Sequence, residues 1–145
     1  MSMWLLAAAL LVASPTPTPP EQEWSKVVVD LSDQEAVIYN SAGRPLVSFD
    51  VSTGAADTPT PLGRFKVSSK TPVTFSRSNP DITMRYMVRF KNGVGFHAIP
   101  RQNGIPLNTP LGVSGVSHGC VRLADKDARL LYKNLPLGAT VVVRP

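Results

Sequence analysis

From residue 24 onward, apolar and polar positions alternate with a period near two; one stretch departs to the three-and-four spacing of a helix. The β-branched run KVVVDL (26–31) predicts a first strand, and EAVIYN (35–40) a second after the polar segment SDQ. In PLVSFDVS (45–52), Val47, Phe49 and Val51 fall on one face and Leu46, Ser48, Asp50 and Ser52 on the other, which completes a three-strand meander. Residues 53–63 (TGAADTPTPLG) are turn formers and predict no regular element; GRFKVSSK (63–70) returns to strand-like alternation through Phe65 and Val67. A polar loop is expected over 71–81. MRYMVRF (84–90) and VGFHAI (94–99) then form a hairpin across Lys91-Asn92-Gly93. A long Pro- and Gly-containing loop over 100–116 follows. The helix is DKDARLLYKNL (125–135), with Asp125 at the cap position, Ala128, Leu131 and Leu135 on one face and Pro136 as the stop; ATVVVRP (139–145) closes the chain as a strand. The fold class is therefore mostly β, a sandwich or closed mixed sheet with one short helix near the C-terminus.

The first residues have a different pattern. MWLLAAALLVA (3–13) is an unbroken apolar run, too short to cross a bilayer as a helix but of the length of a secretory apolar region. No Lys or Arg precedes it, and Ala13 with Leu11 two positions earlier makes a poor cleavage site, so an uncleaved short anchor is the competing reading. SPTPTPPEQE (14–23) lacks periodicity and reads as an extended linker. The expected division is 1–13 as signal peptide or short anchor, 14–23 as linker and 24–145 as one folded domain, placed outside the cytoplasm in periplasm or cell wall.

At 145 residues the chain has the size of one domain, and 43% hydrophobic content suffices for a core. The net charge of +5 is spread over single Lys and Arg residues rather than gathered in a block, so nucleic acid is not an expected partner. A monomer is expected. There is one cysteine, Cys120, which excludes an internal disulfide. In an exported chain an unpaired thiol is either buried and inert or retained for its chemistry.

That thiol lies within Ser117-His118-Gly119-Cys120-Val121-Arg122, and the second of the two histidines, His97, lies at the far end of the long loop. A neighbouring imidazole lowers a thiol's pKa and accepts its proton, which makes the sulfur a nucleophile. His118, two residues from the thiol along an extended backbone, and His97 both qualify by sequence. Gly119 permits close backbone approach, successive N–H groups around it suit a developing oxyanion, and Arg122 suits a substrate carboxylate. A zinc site of His97, His118 and Cys120 is the alternative chemistry. It lacks a supporting carboxylate, since no Asp or Glu stands between 97 and 123, so neither metal nor other cofactor is expected.

The segment resembles the catalytic domain of the L,D-transpeptidases, whose signature is a His, a spacer, then Ser/Thr-His-Gly-Cys, a hydrophobic residue and Asn or Arg; here these are His97, Ser117, His118, Gly119, Cys120, Val121 and Arg122. Ser52-Thr53-Gly54 and Thr58-Pro59-Thr60-Pro61-Leu62-Gly63-Arg64-Phe65 are similar to a second stretch of that family, and the likeness runs from about Val27 to Val143. The 19-residue spacer between His97 and Ser117 is slightly longer than the commonest form, and Arg stands at 122 where Asn is more familiar. The resemblance implies that Cys120 attacks the carbonyl before the terminal D-Ala of a peptidoglycan stem tetrapeptide and forms a thioester. An amine of a second stem peptide then resolves it into a 3→3 cross-link; water or a protein amine gives the hydrolytic or anchoring variants. It implies His97 as base, oriented by the carbonyl of Ala98. His118 then supports the loop and lends its N–H to the oxyanion hole with Gly119 and Cys120, Ser117 fixes the loop, and Tyr86 is a weaker candidate for substrate contact. Carbapenem β-lactams are expected inhibitors. A non-catalytic wall-binding module is the alternative from another class, disfavoured because a binder needs neither the thiol nor His97. A sortase-like enzyme is disfavoured by the His-Gly-Cys order.

Overall fold

The computed structural model describes residues 16–145; the apolar run at 3–13 lies outside the described residues. Among the described residues, eleven strands and one α-helix follow a short 3-10 turn at Pro20–Gln22. They are β1 (Lys26–Asp30), β2 (Glu35–Tyr39), β3 (Pro45–Ser52), β4 (Gly63–Lys66), β5 (Ser69–Phe75), β6 (Ile82–Lys91), β7 (Val94–Ala98), β8 (Arg101–Gln102), β9 (Ile105–Pro106), β10 (Val121–Leu123), α1 (Asp125–Asn134) and β11 (Thr140–Arg144).

Two half-sheets share the long strand β3. Its residues 45–50 pair with β2, while Val51 and Ser52 pair with β10. The first half runs β4-β11-β1-β2-β3, with β1 parallel to β11; the second runs β3-β10-β7-β6, extended by β5 and by the small β8–β9 hairpin. Alternate residues point inward as the period-two pattern predicts: Val27, Val29, Ala36, Ile38, Val141 and Val143 from one half meet Val88, Phe90, Phe96, Val121 and Leu123 from the other. Rings at Phe65, Phe90 and Phe96 join the halves, with centroids 5.2–5.4 Å apart. Helix α1 buries Ala128 and Leu131 against β6, β7 and β10.

Four expectations are corrected. The run 63–70 is two strands, because the chain crosses between half-sheets at Val67–Ser68: Val67 N–H donates to Ala139 O, and Ser68 N–H to Arg89 O. The first part of the predicted polar loop, residues 71–75, belongs to the edge strand Ser69–Phe75 on β6, where Pro72 needs no second partner. The 100–116 loop contains the β8–β9 hairpin, turned at Asn103 and Gly104 with positive φ. Asp125 does not cap α1; Ala124 occupies the cap, and the Asp125 carboxylate accepts from the Arg101 guanidinium at 2.6 Å.

Candidate active site

The Ser-His-Gly-Cys loop enters β10, which runs parallel to β7 with Arg122 opposite His97 and Leu123 opposite Ala98. This register, set by burial of Val121 and Leu123 beside Phe96 and Ala98, brings two sequence-distant segments side by side. His97, Ser117, His118, Cys120 and Arg122 all line one cleft of about 500 Å³.

The loop stands on a pedestal built by residues 52–60. Thr58 Oγ1 donates to Ser117 O and Thr60 Oγ1 to Gly119 O, each at 2.7 Å. Ala55 N–H also donates to Ser117 O, and Ser117 N–H to Thr53 O. Gln34 fixes the base of the pedestal: its amide donates to Thr53 Oγ1 at 2.8 Å and accepts from Thr53 N–H at 3.0 Å. Gly54 is required here, since a Cβ at that position would lie 2.1 Å from Thr58 O and 2.6 Å from Thr60 N. Ser117, buried, donates its hydroxyl to Cys120 O and accepts from Gly119 N–H, which closes the loop on itself. Gly119 takes the left-handed backbone (φ 132°) that this closure needs. Thr58, Thr60 and Gln34 carry no chemistry of their own, and sequence reasoning did not single them out as supports; the Thr-Pro-Thr-Pro run was their signal.

His97 is 2% exposed, and its Nδ1 lies 2.6 Å from Ala98 O. A carbonyl only accepts, so Nδ1 carries the proton and Nε2 keeps its lone pair. Burial, with a further push from the Arg122 charge, lowers the His97 pKa to about 4, so the ring is neutral near pH 7. Burial also raises the Cys120 thiol above its ordinary value, against the opposing pull of the Gly95 amide, Arg122 and Arg89. The thiol's hydrogen bond goes to Gly93 O at 3.7 Å. Desolvation thus favours the neutral form of both groups in the free protein.

Arg122 donates to Thr109 Oγ1 at 3.4 Å, and its Nε is buried with no partner. His118 is exposed at the rim. Two further expectations are corrected. The Gly119 N–H is occupied by Ser117 Oγ and is not free for an oxyanion. Tyr86 does not line the cleft: its left-handed backbone (φ 58°) reverses the alternation of β6, so Met84, Met87 and Arg89 face the cleft and the Tyr86 ring packs on Tyr132, centroids 5.8 Å apart. Among the described residues, no group of three or more His, Cys, Asp and Glu side chains is arranged to hold a metal.

The family model YkuD, L,D-transpeptidase catalytic domain, matches residues 25–143. A probable L,D-transpeptidase 3 of Mycobacterium tuberculosis is 31% identical over 105 residues, 64% of this chain and 37% of that protein. A solved L,D-transpeptidase from Mycobacterium smegmatis superposes with a TM-score of 0.70 at 26% identity, covering 83% of this chain and 58% of that one. The fold is shared by M. tuberculosis L,D-transpeptidase 3 in complex with a faropenem-derived adduct, with a TM-score of 0.67 at 23% identity over 83% of this chain and 60% of that one. The chain thus spans little more than a third of the first curated relative and under two thirds of these solved chains.

Proposed function

The chain belongs to the L,D-transpeptidase catalytic domain family, and from that premise we propose that it is a cysteine acyltransferase acting on peptidoglycan stem peptides, with Cys120 as nucleophile and His97 as base. The observation that carries this reading is the shared cleft, lined by both the one thiol and a neutral imidazole whose Nδ1 is held by Ala98 O.

Binding of a donor removes water from the cleft and turns the thiol from Gly93 O toward His97. Cys120 Sγ then forms a bond to the carbonyl carbon before the terminal D-Ala while its proton passes to His97 Nε2. Because neither group is charged at rest, transfer and attack proceed together, with no standing thiolate to be oxidised or wasted. The Cys120 and His118 amides receive the oxyanion, since Gly119's is engaged, and the Arg122 guanidinium holds a donor carboxylate. Collapse expels D-Ala with the proton from His97 and leaves a thioester. An acceptor amine attacks, yields its proton to His97, and the thiol departs carrying that proton. An amine of a second stem peptide gives a 3→3 cross-link; water or a protein amine gives the hydrolytic or anchoring variants.

The relative with a faropenem adduct makes a penem or carbapenem the direct probe. Intact-protein mass spectrometry is expected to show one adduct on the wild type and none on Cys120→Ser; a folded wild type that takes no adduct supports the wall-binding alternative instead. A tetrapeptide donor supplied with and without an acceptor amine separates cross-linking from hydrolysis. The enzyme's substrate lies outside the cytoplasmic membrane, and the apolar run at 3–13 is assigned to export or anchoring, which fractionation of cells carrying the full chain tests.

A further inference from the structure

The cleft carries more positive charge than one carboxylate needs. Arg77, Arg89 and Arg122 line it together with both histidines, and no Asp or Glu does. Among the described residues the ion pairs are Arg101–Asp125 and Arg144–Asp30, so neither Arg89 nor Arg122 has a carboxylate partner within the chain. Partly burying a guanidinium that has no carboxylate partner is unfavourable by desolvation, and a bound carboxylate relieves it; two such groups lining one cleft have room for two carboxylates.

Arg89 is placed for that role. It lies opposite Gly95 in the β6–β7 ladder, and the Gly95 amide points at the Cys120 thiol. The reversal of β6 at Tyr86 turns its side chain into the cleft. One guanidinium nitrogen is pinned to Thr71 Oγ1 at 2.7 Å on the edge strand β5. That single neutral acceptor fixes the fork and leaves its other N–H groups to a ligand.

We propose that Arg89 is a specificity-determining residue that binds a second carboxylate of the acyl donor, at the end of the third residue's side chain, so that the preferred donor carries this group free rather than amidated. The proposal rests on the acyl-transfer reading above. Arg122 takes one carboxylate and Arg89 the other, and a planar fork on an anchored side chain distinguishes a carboxylate from its amide by charge as well as by hydrogen bonds.

The test measures calorimetric binding of two synthetic tetrapeptides, identical except that the third side chain ends in a free carboxylate or its primary amide, to the Cys120→Ala variant, which cannot be acylated. The free acid is expected to bind about ten- to a hundredfold more tightly. Adding Arg89→Gln brings the ratio to within about twofold, and Arg89→Lys restores part of it by keeping the charge without the fork. Thr71→Val releases the guanidinium without removing it; it lowers the ratio and keeps the test open should Arg89→Gln not fold. Equal affinity for the two peptides, a ratio that survives Arg89→Gln, or no binding of either overturns the proposal. β-Lactam acylation of the wild type reports separately on the nucleophile. An adduct without discrimination between the peptides overturns the role of Arg89 alone, whereas absence of the adduct overturns the acyl-transfer reading.

Discussion

The pedestal under the nucleophile loop and the cleft wall above it are both polar and partly buried, yet they are wired in opposite ways. In the pedestal, Thr58, Thr60, Ser117 and Gln34 find partners at 2.7–3.0 Å, and a satisfied buried network specifies one geometry. In the wall, the Arg122 Nε has no partner, the thiol's hydrogen bond to Gly93 O is a long 3.7 Å, and His97 is held by one nitrogen alone. Satisfied groups position; unsatisfied groups wait for substrate. Substitutions in the wall should therefore cost activity with little loss of stability, and those in the pedestal should cost stability first.

The strongest way to break this comparison is Cys120→Ala, which is expected to abolish acyl transfer while thermal unfolding stays within a few degrees of wild type. His97→Ala should lower kcat by roughly 10²- to 10⁴-fold, far more than His118→Ala; equal and small losses would remove His97 as base. The same buried imidazole predicts an acid limit. Its folded pKa of about 4 lies below the unfolded value near 6.5, so the unfolded chain binds more protons in between. Stability is then full above about pH 6.5 and falls by about 3 kcal/mol as pH drops toward 4. Chemical denaturation across that range should show the slope in the wild type and a shallower one in His97→Ala. The thiol acts from the other side, since its raised pKa makes its share of stability fade as pH climbs through the ordinary thiol range.

In the pedestal, Thr60→Val strands Gly119 O and Gly54 N–H and should cost about 1–3 kcal/mol in denaturant unfolding, with activity falling in proportion to misplaced loop. A pedestal substitution that leaves stability intact would erase the distinction. The smallest effect is the most diagnostic. Arg122→Met removes a buried unpaired donor, so stability should hold or rise by up to about 1 kcal/mol while KM for the donor increases.

The sequence made legible whatever is encoded by local period or by residue identity. Strand alternation marked β1, β2 and β3, and the helix spacing marked α1, because each buries one face on one core. Cys120, His97 and Arg122 were legible as rare residue types in a dense motif. Features decided by a distant partner stayed hidden. Nothing near Val67 says that the next amide will bond to the other half-sheet, and Pro72 argues against a strand unless the strand is known to lie at an edge. Tyr86 follows the alternation until its own left-handed backbone reverses it, and Asp125 looks like a cap until Arg101 arrives from β8. The roles of Thr58 and Thr60 were hidden for the same reason: their acceptors lie 59 positions away.

Strand β1 pairs with β2 on one side and is sealed on the other by β11, so its second ladder waits until Lys26 through Asp30 meet Thr140 through Arg144. During synthesis β1 emerges long before β11, so this side of the sheet stays open until residues 140–144 have been made. Folding is thus a late event that joins two segments distant in sequence in one step. Its loop-closure cost places it in the slow, millisecond-to-second range of β-rich domains, and removing even the final strand is expected to leave the rest of the polypeptide unable to hold its shape.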